Sequence, residues 1–191
     1  MRIAMHPALL NHPTPQLHSH NPNCTPTTPT SQHSPMNRTA TTKFFQIWQQ
    51  NIAKSSMAQH NLLAKAHPSK WDIIVLQEPY LDHLGLTWAN SHWTVLYPSN
   101  KNLKNQNHTW SILLINTKID SSQIQQININ SSDITAVKIT TNTHSIIIIN
   151  IYNDIHHNQT INTLAEVWAT NENNWILNHN ATELLLLGDF N

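Results

Sequence analysis

The chain has 191 residues, with 10 basic and 10 acidic side chains, no formal net charge and a pI near 7.3. That length is enough for one domain with a sizeable core, while the charge balance argues against a strongly basic nucleic-acid-binding surface. The longest apolar runs, Ile146–Ile149 and Leu184–Leu187, are far short of the roughly 20 residues a membrane-spanning helix needs.

Residues 1–42 read as a tail. Seven of the ten prolines fall within the first 35 residues, among Thr, Ser, His and Asn. So few apolar side chains cannot offset the entropy of ordering, and the expectation is disorder. The histidines there have no ligand-like spacing. The single cysteine, Cys24, cannot close an internal disulfide, which points to a reducing compartment. The first residues are broken by His6 and Pro7 and do not make a signal peptide. No acidic residue precedes Asp72, but two arginines among many prolines make a weak transit peptide.

From Lys43 the pattern becomes that of a folded domain, residues 43–191. Phe44–Asn51 reads as a strand entering a core. Ala53–Ala66 reads as an amphipathic helix through Met57, Leu62, Leu63 and Ala66, stopped by Pro68. Asp72–Leu76 carries the continuous β-branched run and is expected to be a strand buried on both faces. Further strands are expected at Trp93–Tyr97, Ser111–Ile115, Ile134–Thr140 and Ser145–Ile151. A helix is expected over Thr160–Leu177, with Leu164, Val167, Trp168 and Trp175 on one face. Glu183–Leu187 closes the set as another buried strand. Strands outnumber helices, so the order implies a mixed sheet, or two packed sheets, with helices outside.

Chemistry-bearing residues gather at strand ends. A buried strand delivers its C-terminal residues to a sheet rim, where side chains converge. Here the ends are Gln50 and Asn51, Gln77 and Glu78, Tyr152 and Asn153, and Asp189 and Asn191. Carboxylates and carboxamides at one rim suit a hard divalent cation, and a second carboxylate can orient or deprotonate a water attacking a phosphate. Taken singly, each has a plain structural use. Asn51 can cap the following helix, Glu78 can sit in an exposed loop, Tyr152 can point its hydroxyl at water, and Asp189 can open a turn. Taken together and in this order, they favour a site.

The segments IWQQNIAKS (47–55), WDIIVLQEPY (71–80), IIIINIYN (146–153) and LLLLGDFN (184–191) resemble the endonuclease/exonuclease/phosphatase superfamily. Gln-Glu-Pro after the second strand, and Ser55 four residues after Asn51, are similar to the endonuclease domains of non-LTR (LINE-type) retrotransposons. The resemblance spans residues 44–191. It implies an α/β (α+β) fold, a two-layer β-sandwich flanked by helices of the DNase I-like kind. It implies a Mg²⁺ ion, with Mn²⁺ as substitute, held by Glu78 and supported by Asn51. It also implies that Tyr152 faces the phosphate, that Asp189 positions or deprotonates the attacking water, and that Asn191 is its partner. The reaction implied is nicking of DNA in the nucleus, leaving a 3′-hydroxyl that primes a downstream reverse transcriptase.

Departures from the family pattern set further expectations. The usual Pro-Asn after the tyrosine is replaced by YNDIHHN, leaving Asn153 and Asn158 as candidates for that role, with His156 and His157 read as loop residues. A late Asp-His pair and the second half of the sandwich do not follow Asn191. The expectation is therefore a fragment with the C-terminal half missing and little or no activity alone, since one lost stabilising group commonly costs ~10²–10³-fold in rate. The alternatives are a phosphatase of the same superfamily acting on a small or lipid phosphate, and a non-catalytic transposon remnant or binding module.

Overall fold

Continuous apolar runs such as Ile73–Leu76 and Ile146–Ile149 form the centres of two sheets, and half-polar runs lie at their edges, except that the apolar Leu184–Leu187 is also at an edge among the described residues. A computed structural model describes residues 45–101, 108–142, 145–170 and 182–190. The expected tail over residues 1–42 lies outside them. Chain order is β1 (Ile47–Asn51), α1 (Ser56–Lys65), β2 (Ile73–Gln77), β3 (Trp93–Leu96) and β4 (Ser111–Asn116), then β5 (Ile124–Ile127), β6 (Ile134–Thr140), β7 (Ser145–Tyr152), α2 (Gln159–Ala169) and β8 (Thr182–Asp189).

The first sheet has the order β1-β2-β4-β3 and the second β5-β6-β7-β8. Each is mixed. β1 runs parallel to β2 and β7 parallel to β8, while the other pairs are antiparallel. The two sheets face each other through β2 and β4 on one side and β6 and β7 on the other. Alternation along the pleat divides the apolar residues between an inner and an outer face. On the outer face of the first sheet, Ile74, Leu76, Ile112 and Leu114 pack with Leu62 of α1 and with Ala66, which caps its C-terminus. On the outer face of the second, Ile147, Ile149 and Ile151 pack with Leu164 and Val167 of α2. This is the α+β sandwich with flanking helices that the sequence led us to expect.

Three elements differ from their sequence expectation, and a fourth, β5, was not expected at all. The helix starts at Ser56, because Ala53 and Lys54 take left-handed angles (φ 51° and 55°) and Ser55 is the N-cap, its Oγ accepting from Ala58 N. Its buried face includes Gln59, fully buried, while Met57 is 69% exposed. A glutamine can occupy that face because every polar atom of its amide is used: Nε2 donates to Thr87 Oγ1 and to the Trp88 carbonyl, and Oε1 accepts from Tyr80 N. The strand β5 (IQQI) carries no two-residue alternation and lies half-exposed at an edge. The last strand is also longer and less buried than expected. It runs through Gly188 to Asp189, and among the described residues it pairs on one side only, so Leu186 stays 40% exposed. Of the expected second helix, residues 171–177, with Trp175, lie outside the described residues, and Trp168 is 43% exposed.

Candidate active site

Register decides which side chains meet. Asn51 is level with Gln77 in the parallel β1–β2 pair, and Gln77 is level with Ser111 in the antiparallel β2–β4 pair. The C-terminal ends of β1 and β2 and the N-terminal end of β4 therefore share one rim. In the second sheet, Tyr152 is level with Asp189. The two rims adjoin, and Asn51 crosses between them. Its Nδ2 donates to Glu78 Oε1 at 3.1 Å and to Asp189 Oδ2 at 2.7 Å, while its Oδ1 accepts from Ala53 N at 2.8 Å. Asn51 is thus not the cap of α1. It presents amide hydrogens to the two acids, and its oxygen closes the turn that follows.

The backbone around this rim is strained. The three non-glycine residues with positive φ among the described residues are Ala53, Lys54 and Glu78 (φ 48°). Such conformations cost on the order of 1–3 kcal/mol each and collect at functional sites. Here they interlock, because Lys54 N donates to the Glu78 carbonyl at 2.8 Å and Glu78 N donates to the Trp110 carbonyl at 2.8 Å. Glu78 is half-buried rather than a free loop acid.

Tyr152 also departs from the plain reading of a phenol in water. Its hydroxyl donates to Glu78, and its ring stacks on Trp110 at 5.0 Å and 7°. Burial, then the Glu78 charge and that hydrogen bond, then Asp154 and Asp189, push the phenol up to about 12. It is a neutral donor at any ordinary pH.

Gly188 has no room for a side chain. It lies inside β8 (φ 157°), and a Cβ there would collide with the Ile151 carbonyl, 2.8 Å from its carbon. That close approach places Asp189 beside Tyr152, and Asn153 N donates to the Asp189 carbonyl at 2.8 Å. Asn153 is buried next to the cluster, whereas Asn158 is exposed at the start of α2. His156 and His157 are exposed loop residues, as expected. Asn191 lies outside the described residues.

A buried polar chain runs behind the rim. Asn150 Nδ2 donates to the carbonyls of Leu76 (2.8 Å) and Ile112 (2.9 Å), and its Oδ1 accepts from Gln77 Nε2. Gln77 Oε1 accepts from Gln49 Nε2 at 2.9 Å, which also donates to the Gly188 carbonyl at 3.3 Å. This chain ties the strand bearing Glu78 to the strand bearing Asp189. Sequence reasoning missed Asn150, and it also missed Trp110, which lies one residue before β4. The usable signal for Trp110 was the antiparallel direction of β4, which puts its start at the active rim.

As a donor set, Glu78 and Asp189 with the Tyr152 phenol fit a hard cation that keeps part of its water shell. Among the described residues, no three His, Cys, Asp or Glu side chains converge on one point. A cation here would be held by one or two carboxylates, with water and phosphate oxygens supplying the rest.

No protein-family profile and no curated protein matches the chain. Among solved structures, the endonuclease domain of TRAS1, a telomere-specific non-LTR retrotransposon, matches with a TM-score of 0.53 over 76% of this chain at 17% identity. The chain shares the fold of that endonuclease domain. It spans 58% of that domain's length. TDP2 from C. elegans also matches, with a TM-score of 0.38 at 16% identity, over 65% of this chain and 43% of that one. The sequence resemblance to DNase I-like proteins is thus met at the level of fold. Among the described residues, no helix is long and apolar enough to cross a membrane.

Proposed function

We propose, in place of the inactive fragment expected from the sequence, that this chain carries a Mg²⁺-dependent endonuclease centre that hydrolyses a DNA phosphodiester, nicking one strand and leaving a 3′-hydroxyl on which a reverse transcriptase can start. The observation that carries this reading is the convergence of Glu78 and Asp189 on the one Asn51 amide. The shared fold with an endonuclease domain supports it.

Glu78 is the acid that holds the cation, because the Tyr152 hydroxyl and the Asn51 amide already fix its direction. When bound, Mg²⁺ supplies Lewis-acid stabilisation of the charge that builds on the phosphate. Asp189 orients a water and accepts its proton as the oxygen attacks phosphorus in line with the departing 3′-oxygen. Tyr152 stays protonated, and its single hydrogen, held by Glu78 before substrate enters, turns to a non-bridging phosphate oxygen once Glu78 faces the cation, a directed hydrogen bond of the kind that stabilises a developing anion. Asn51 keeps the two carboxylates apart and aimed, with both its amide hydrogens engaged. Its contribution is orientation rather than metal ligation.

The test is hydrolysis in Mg²⁺ of supercoiled plasmid, set against release of phosphate from a simple monoester. Cleavage of the diester alone, reduced at least ~10²-fold in Glu78→Gln and Asp189→Asn, is the expected pattern. Monoester release in place of nicking would move the assignment to a phosphatase, and hydrolysis indifferent to both substitutions would overturn it.

A further inference from the structure

Trp110 stands between two clefts of about 280 Å³ each. One opens on the polar side and includes Tyr152 and Asp154. The other is lined by Lys54, Pro79, Tyr80, Leu81, His108 and Trp110, and begins one residue after Glu78. Three features of this second cleft belong together. Its walls carry an indole, a phenol ring and an imidazole, and the His108 ring lies nearly parallel to the Trp110 ring at 6.3 Å and 22°. The Lys54 ammonium lies 3.5 Å above the indole. Lys54 is exposed, and no described carboxylate lies within salt-bridge distance of it.

Two strained residues hold that lysine in place. The left-handed turn at Ala53 and Lys54 hydrogen-bonds to the Glu78 backbone, so the ammonium is tethered to the residue that carries the reactive carboxylate. A lone, exposed ammonium resting on a half-buried ring is held weakly, and base–aromatic stacking together with a phosphate contact is the stronger arrangement.

We propose that this cleft is the subsite for the nucleotide flanking the scissile phosphate. An unpaired base enters and stacks on Trp110, and the Lys54 ammonium moves from the indole onto the adjoining phosphate. The subsite rests on the nuclease reading above, and adds to it that the preferred substrate has an unstacked base beside the cleavage point. The size of the cleft admits one planar ring system, and its single cation matches one phosphate.

The probe is a duplex oligonucleotide with one bulged 2-aminopurine, whose fluorescence is quenched by stacking, titrated with the 191-residue chain in Ca²⁺. The wild-type chain is expected to bind and quench. Trp110→Leu is expected to lose the quench and bind roughly 5- to 100-fold more weakly, with Trp110→Phe retaining most of both. Lys54→Met is expected to keep the quench and to lower the slope of log affinity against log salt by about 0.9. Wild-type binding without quenching, or equal binding by Trp110→Leu, overturns the subsite and leaves the nuclease reading intact. If Trp110→Leu does not fold, the wild-type quench and the Trp110→Phe result still decide. A wild-type chain that binds no DNA overturns both.

Discussion

Asn51 shows how much one side chain can organise. Its type and strand-end position are visible in the sequence, but its use is not, because capping a helix and bridging two acids ask for the same short amide. The structure decides for the bridge: Ser55 takes the cap, and Asn51 spends Nδ2 on Glu78 and Asp189. Tyr152 was legible for the same reason and incompletely so. A tyrosine after an isoleucine run belongs at a rim, but the stack on Trp110 and the bond to Glu78 come from segments 42 and 74 positions earlier. Its titration is the residue-scale prediction. In metal-free protein with chelator, the phenol absent from Tyr152→Phe should ionise near 12 in an ultraviolet difference titration. The folded state holds that proton more tightly than the unfolded chain, whose phenols ionise near 10. The resulting stabilisation is complete below about pH 10 and fades as the pH rises towards about 12. A Tyr152 phenol that ionises near 10 would remove the Glu78 contact from the account.

At the scale of elements, uniform composition made the central strands readable. β2, β4 and β7 are apolar runs that stay buried along nearly their whole length, and no other element suits such a run of β-branched residues. The edges were less readable because they answer to neighbours. β5 has only four residues and half of its surface in water, and β8 is an edge among the described residues despite four consecutive leucines. The face of α1 was misassigned at Met57 because a fully satisfied glutamine, invisible to hydrophobic periodicity, occupies the buried row. Gly188 gives the sharpest element-scale test. Gly188→Ala forces a methyl group into the Ile151 backbone, so β7 and β8 must separate at the point where Asp189 is delivered. The expected loss is about 1–3 kcal/mol or more in denaturant unfolding, together with weakened metal binding. Unchanged stability would contradict the close approach.

Over the whole molecule, two sheets contribute to one site, and the polar chain between them keeps their rims in register. The sequence could indicate two packed sheets from strand count, but not which strands face each other. That pairing depends on long-range contacts such as Asn150 with Leu76 and Ile112. Asn150→Ala removes the bridge and leaves the Gln77 amide buried without its acceptor. Each buried polar group left unpaired costs about 1–3 kcal/mol, and the loss should appear as a lower unfolding midpoint accompanied by weaker metal binding. A midpoint equal to that of the parent chain would show that the sheets hold their register without it.

Everything proposed for the site depends on Glu78 and Asp189 forming one divalent-cation site across the two sheets. Mn²⁺ binding, followed by the loss of the free-ion paramagnetic resonance signal, tests it most directly. The 191-residue chain is expected to bind one Mn²⁺ displaceable by Mg²⁺, with binding sharply weakened in Glu78→Gln and in Asp189→Asn and absent in the double variant. Binding of equal strength in the double variant, or none by the parent chain at millimolar Mn²⁺, would contradict it.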